Sequence, residues 1–124
     1  MLGIDLIKTS RMECLLERFG EKFLLKFLSP DELLLIKSYK TAAGFWAIKE
    51  ATSKALGTGI GSECAFKDIK IYKTAKGAPK LSLSKRVVRK FQIEEASVSL
   101  THDGEYAVAV VSLQSTTTNK IKQF

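Results

Sequence analysis

Val98-Ser99-Leu100-Thr101-His102-Asp103-Gly104-Glu105-Tyr106-Ala107-Val108-Ala109-Val110-Val111-Ser112-Leu113 sets two β-rich runs on either side of a turn signal. Val98 to Thr101 alternates apolar and polar residues, as a half-buried strand does. Asp103-Gly104 reads as a two-residue hairpin turn, and Tyr106 to Leu113 as the returning strand. Upstream, two further strands are expected at Ala65 to Lys73 and Lys80 to Leu83, joined by a turn containing Gly77 and Pro79. Leu2 to Ile7 is apolar except for Asp5, so it reads as a short opening strand with a carboxylate inside an otherwise buried-looking segment.

Helices fill the intervals. From about Ser10 to Leu28, Met12, Leu16, Phe19, Phe23 and Phe27 recur at the spacing of one helix face, with Gly20 as a candidate break. Ser29-Pro30-Asp31-Glu32 is a helix start in which Ser29 caps, Pro30 suits the first position and Glu32 completes a capping box, so a short helix to about Tyr39 is expected. Thr41 to Leu56 is a stronger helix, with Phe45, Ile48, Thr52 and Ala55 on one face and Trp46, Glu50, Ser53 and Lys54 turned elsewhere. It stops at Gly57. Lys85 to Gln92 completes the set. Helices packed on a hairpin-rich, mainly antiparallel sheet make the fold class α+β, with one domain over 1–113 and a polar tail over 114–124.

A chain of 124 residues with 45% hydrophobic content can bury one core. Its longest apolar runs fall far short of the ~20 residues needed to cross a bilayer, so a cytoplasmic protein without a membrane segment is expected. Cys14 and Cys64 are too far apart for a metal-type spacing and read as quiet packing residues. The formal charge of +7 calls for a polyanionic partner. Between Lys67 and Lys90, nine basic residues face the single acid Asp68. Arg11, Arg18, Lys22 and Lys26 form a second basic stripe at helical spacing.

Glu50 and Lys54 stand four apart with the acid first, which on its own suits an ordinary helix ion pair of ~0.3–0.5 kcal/mol. Gly57, Gly59 and Gly61 are more glycines than a helix end requires, and let backbone approach a bulky or anionic ligand. Asp5 adds a second hard carboxylate. Two such groups, one from a strand and one from a helix, suit Mg²⁺ when phosphate oxygens and water supply the remaining ligands. His102 reads either as a hairpin residue or as a phosphate contact or proton-transfer group.

Gly3-Ile4-Asp5-Leu6, Arg11, Lys49-Glu50-Ala51, Lys54-Ala55-Leu56-Gly57-Thr58-Gly59-Ile60-Gly61, Gly77 to Pro79 and Ser99-Leu100-Thr101-His102 occur in that order. Together they resemble the holo-acyl-carrier-protein synthases, a 4′-phosphopantetheinyl transferase family, over about Leu2 to Leu113. The resemblance implies transfer of 4′-phosphopantetheine from coenzyme A to a serine of apo acyl carrier protein, releasing adenosine 3′,5′-bisphosphate and supporting fatty acid biosynthesis. It also implies that Asp5 and Glu50 hold Mg²⁺ on the diphosphate and that Lys54 stabilises the departing bisphosphate. Glu50 and a water on the ion are then the two candidate acceptors of the serine proton.

By the same resemblance Gly57, Gly59, Gly61, Pro79, Thr101 and His102 line the nucleotide end of the coenzyme site. Arg11, Arg18, Lys22 and Lys26 face the acidic recognition helix of the carrier protein, and the enzyme is a homotrimer with shared active sites. This chain departs from the family pattern at Phe45-Trp46, where Arg-Phe is common, and at Ala78, where a lysine is common. The 3′-phosphate is therefore expected to be held differently, with Lys76 and Lys80 compensating. A small basic nucleic-acid-binding module is the competing reading, but it leaves Asp5 and Glu50 unexplained, because carboxylates repel phosphate unless a cation intervenes. No nucleic-acid partner is expected.

Overall fold

The computed structural model describes residues 1–117 and 121–124. Its longest helix, α4, spans Tyr39–Leu56. The Ser38 hydroxyl caps it by accepting from the Lys40 amide at 3.2 Å. Gly57 ends it in the left-handed conformation, φ 79°, which an L side chain would resist. The expected Phe45, Ile48, Thr52 and Ala55 are buried, but so is Ser53, and Trp46 is half-buried in an aromatic group with Phe23, Phe27 and Phe66. The helix is covered on most of its circumference rather than on one stripe. Small residues and back-bonding hydroxyls make this possible: Thr52 Oγ1 donates to Ile48 O at 2.7 Å, and Ser53 Oγ to Glu50 O at 2.7 Å.

One sheet packs on α4. Its strands are β1 (Leu2–Lys8), β4 (Ile93–Asp103) and β5 (Tyr106–Ser115), in the order β1-β5-β4, all antiparallel. Ala107, Ala109, Val111 and Leu113 of β5 and Gly3 and Ile7 of β1 turn inward. Gly3 is required here: a Cβ would lie 1.8 Å from Ala51 O and 2.6 Å from Ala55 N, so β1 and α4 touch backbone to backbone. The outer face carries Leu2, Ile4 and Leu6, all largely exposed, beside Val110. The opening strand is therefore buried on one side only, and Asp5 lies on the helix-facing side.

The second sheet is a separate antiparallel pair, β2 (Ile69–Lys73) and β3 (Pro79–Leu83). The strand expected from Ala65 begins later, because Phe66–Asp68 winds into a 3₁₀ turn fixed by the Asp68 carboxylate accepting from Ala65 N at 2.8 Å. The remaining helices are α1 (Thr9–Phe19), α2 (Glu21–Phe27), α3 (Pro30–Leu33) and α5 (Lys85–Phe91). Gly20, φ 67°, does divide the first helical segment. Phe19, expected on its apolar face, is half exposed at that break.

Several boundaries moved for local reasons. The helix begun by the Ser29 capping box, which forms as read, ends at Leu33 instead of Tyr39, and Ser38 starts α4 afresh. The two hairpin residues are Gly104-Glu105, since Asp103 pairs with Tyr106. β4 starts at Ile93 through a register shift between Ile93 and Glu95, whose adjacent acids hide the strand in the sequence. β5 runs to Ser115, and residues 118–120 of the expected tail lie outside the described residues. Cys64 is buried as expected, with its thiol pushed up to about 11 mainly by burial, whereas Cys14 is exposed. No helix among the described residues is long and apolar enough to cross a membrane.

Candidate functional site

The contact between β1 and α4 that Gly3 permits delivers Asp5 to the last turns of the helix. Lys54 Nζ donates to Asp5 Oδ1 at 2.8 Å and to Ile4 O at 3.2 Å. It does not form the helix ion pair with Glu50 that the spacing allows. Glu50 stands one turn earlier on α4 and is half-buried. Burial first, and the negative charge of Asp5 second, raise its carboxyl above the usual carboxylate range, with Lys54 pulling the other way. The hydrogen bond to Asp5 in turn raises the Lys54 ammonium. Asp5, Glu50 and Lys54 thus form one electrostatically coupled group, drawn from two elements 45 residues apart.

Such a group fits a hard divalent cation. The negative charge of Asp5 adds to burial in raising the Glu50 carboxyl, and a cation between the two carboxylates would relieve that repulsion. Asp5 Oδ2 has no hydrogen-bond partner among the described residues. No cluster of three or more His, Cys, Asp or Glu side chains occurs among the described residues. A cation here would have two protein ligands and take the rest from water and substrate, as Mg²⁺ does at phosphate sites.

The other candidate residues are placed differently. Gly57, Thr58 and Gly59 follow Lys54 directly, but their amides are spent: Gly57 N donates to Lys54 O, and Thr58 N and Gly59 N to Ser53 O. Gly61 N donates to Cys64 O. Four of the five amides from Gly57 to Gly61 are therefore used locally, and Ile60 N is the one without a partner among the described residues. Pro79 opens β3 at the second hairpin. Thr101 lies on the outer sheet face, and His102 on the inner one, where its Nε2 meets Lys40 O at 3.1 Å. Lys40 is at the opposite end of α4 from Lys54, and 14 residues of helix span ~21 Å. Across the sheet His102 pairs with Ala107, opposite Ile7, and so lies two strands and two residues from Asp5, ~12 Å between Cα atoms. Arg11, Arg18, Lys22 and Lys26 are exposed, the first two on α1 and the others on α2 beyond the Gly20 break.

Two residues beside the site were missed. Lys49, quoted only as motif, is fully buried and donates to Phe27 O at 2.7 Å and Glu32 Oε1 at 2.8 Å. Glu32 does more than cap α3, since its Oε2 accepts from Ile71 N at 2.9 Å. A lysine within the otherwise apolar stretch from Ala47 to Ala51, beside Glu50, was the available signal. Phe45 and Trp46, the family departures, are packing residues, and Lys73 lies 5.9 Å from the Phe45 ring centre.

Residues 1–111 match the model of the 4′-phosphopantetheinyl transferase superfamily. The chain belongs to that superfamily. Among its relatives, the holo-[acyl-carrier-protein] synthase of Sulfurimonas denitrificans is 60% identical over 121 residues, covering 98% of this chain and all of that protein. The same enzyme of Aliarcobacter butzleri is 55% identical, over 90% of this chain and 94% of its own. The superfamily fold is equally clear in three dimensions. The crystal structure of Helicobacter pylori holo-[acyl-carrier-protein] synthase in complex with coenzyme A superposes with a TM-score of 0.89 at 47% identity, over 92% of this chain and 100% of that one.

Proposed function

We propose that this protein transfers 4′-phosphopantetheine from coenzyme A to a serine hydroxyl of apo acyl carrier protein in the cytoplasm, leaving adenosine 3′,5′-bisphosphate. The observation that carries the proposal is the convergence of Asp5, Glu50 and Lys54 in a chain whose relatives are named for this reaction. Mg²⁺ would be held by Asp5 and Glu50, and would draw charge from the coenzyme's diphosphate so that its phosphorus accepts a nucleophile.

The chain's own residues do the rest. Lys54, half exposed at the edge of the site, supplies a positive charge against the oxygen that departs with the bisphosphate. The serine oxygen forms a bond to phosphorus as the diphosphate bond breaks, and the hydroxyl proton must leave. Glu50 and a solvent molecule at the site are the two candidates to take it. Arg11, Arg18, Lys22 and Lys26 present an exposed positive surface to the acidic carrier protein. Two free cysteines suit a reducing compartment.

The enzyme acts as a homotrimer with sites shared between subunits. One observation supports this. The outer sheet face exposes Leu2, Ile4 and Leu6 together, a row that a neighbouring subunit would cover. Gly57, Gly59, Gly61 and Pro79 would shape the nucleotide end.

Mass spectrometry of apo carrier protein incubated with coenzyme A and Mg²⁺ tests the reading. A gain of one phosphopantetheine per carrier is expected. No gain over an extended incubation would overturn it.

A further inference from the structure

Apart from Lys76 and Lys80, expected at the coenzyme's 3′-phosphate, the nine basic residues between Lys67 and Lys90 are not used by the chemistry above. Among them only Arg86 and Lys90 have a carboxylate partner among the described residues, Asp68 and Glu63 respectively. Asp68 does not quench the others. It is buried, Oδ1 accepts from Ser84 Oγ at 2.7 Å and from Arg86 Nε at 2.9 Å, and Oδ2 accepts from Ala65 N at 2.8 Å. Its charge is spent inside the protein.

Two adjoining depressions show where the remaining lysines lie. The first, about 160 Å³, has Lys26, Lys67 and Lys70 at its edge and an apolar lining that includes Leu25, Phe27 and Phe66. The second, about 410 Å³, shares Lys67 and Lys70 and adds Ser82, Ser84 and Lys85. Lys26 thus joins the stripe on α1 and α2 to lysines more than 40 residues away in sequence, with no carboxylate partner for Lys26, Lys67, Lys70 or Lys85 among the described residues. Leu25, next to Lys26, is half exposed over the apolar depression.

We infer that this continuous ridge, Lys26 to Lys67 and Lys70 to Lys85, is a second docking surface for the acidic protein substrate. It would take a segment that carries carboxylates around one apolar side chain. The carboxylates meet the lysines, and the apolar side chain enters the depression beside Leu25. A nucleic acid satisfies the charge but has no use for the apolar floor. The inference rests on the functional reading above, and extends it from the stripe on α1 and α2 to the second sheet. Ridge and stripe together would make encounter with an acidic partner faster and salt-dependent.

The test is steady-state kinetics of the full-length enzyme with Lys67→Glu, Lys70→Glu and Lys85→Glu combined, all three being exposed. KM for apo carrier protein should rise about tenfold at low salt, with KM for coenzyme A and kcat within about twofold of wild type. Leu25→Ser should raise carrier KM at low and high salt alike, separating the apolar contact from the charges. An unchanged carrier KM in the triple variant, while Lys22→Glu with Lys26→Glu raises it, would overturn this surface and leave the transferase reading intact. No transfer by the wild-type enzyme would bring down both.

Discussion

Helix α4 carries two lysines that each hold a carboxylate at 2.8 Å, and the two pairs have opposite characters. Lys49 and Glu32 are sealed, at 1% and 2% side-chain exposure. Every polar atom of that pair is matched: Glu32 also accepts from Ser29 N and Ile71 N, and Lys49 also donates to Phe27 O. Burial pushes the Lys49 ammonium down from the usual lysine range while Glu32 holds it up. Lys54 and Asp5 lie at the edge of solvent, with the lysine half exposed and one aspartate oxygen unpartnered among the described residues. The same chemical pair thus serves as a rivet at one point of a helix and as exchangeable groups five residues later. What separates them is the number of other bonds each charge has.

The sharpest break of this contrast is Lys49→Met. It leaves the Glu32 carboxylate buried without its cation, and removing one partner of a buried pair costs about 3–5 kcal/mol. Chemical denaturation should show that loss, with much of the protein unfolded at 37 °C. The pair ties together the end of α2, the cap of α3, α4 and β2, so the loss should be global and cooperative. A fall below 1 kcal/mol would mean that the site can hydrate.

Asp5→Asn and Glu50→Gln invert the outcome. Each keeps the shape and removes a negative charge from the coupled group. Transfer should drop about 10²–10³-fold, the size expected when one charged group is lost from a reacting centre. Stability should change little, and for Glu50→Gln it should rise slightly, since a half-buried carboxylate repelled by Asp5 is removed. Near-normal turnover in either variant would contradict the assignment.

Gly3→Ala tests what holds the exposed pair in place. A methyl group 1.8 Å from Ala51 O cannot be accommodated without separating β1 from α4. Overpacking of this kind costs roughly 1–3 kcal/mol, and here it also draws Asp5 away from Lys54 and Glu50. Both stability and transfer should fall together, unlike in the two variants above. A loss of stability alone would show that the site tolerates slack.

How much of this was legible follows from which signals are local. The capping box at Ser29, the stop at Gly57 and the break at Gly20 are chemistry of adjacent residues, and each appears where it was read. Asp5 stood out as a charge in an apolar strand, and that strand proved exposed on its other side. The partner of Lys54 was not legible. Helical spacing offered Glu50, and only the close approach at Gly3 makes Asp5 the nearer acid. Glu32 was read as a cap, which it is, but its bonds to Lys49 and Ile71 depend on packing that no spacing encodes. The ends of strands failed where a bulge or a 3₁₀ turn interrupted the alternation, at Ile93 and at Ala65.

A third pair lies between the two extremes and gives the smallest expected effect. Asp68 is buried while its partner Arg86 is half exposed, so the carboxylate behaves as part of the rivet and the guanidinium as part of the surface. The Arg86 hydrogen bonds, followed by those of Ser84 and the Ala65 amide, draw the Asp68 carboxyl down to about 2. A depressed carboxylate stabilises the fold only while it is ionised in the native state and would pick up a proton more readily when unfolded. Its contribution is complete above about pH 4, the ordinary aspartate value, and is lost as the pH falls from there to about 2. Denaturation midpoints followed from pH 5 to pH 2 should therefore drop, and Asp68→Asn should flatten that part of the curve while lowering the plateau above it. The decrease should be smaller than the loss in Lys49→Met, because solvent screens Arg86. An acid limb with the same slope in wild type and Asp68→Asn would place the titrating carboxylate elsewhere.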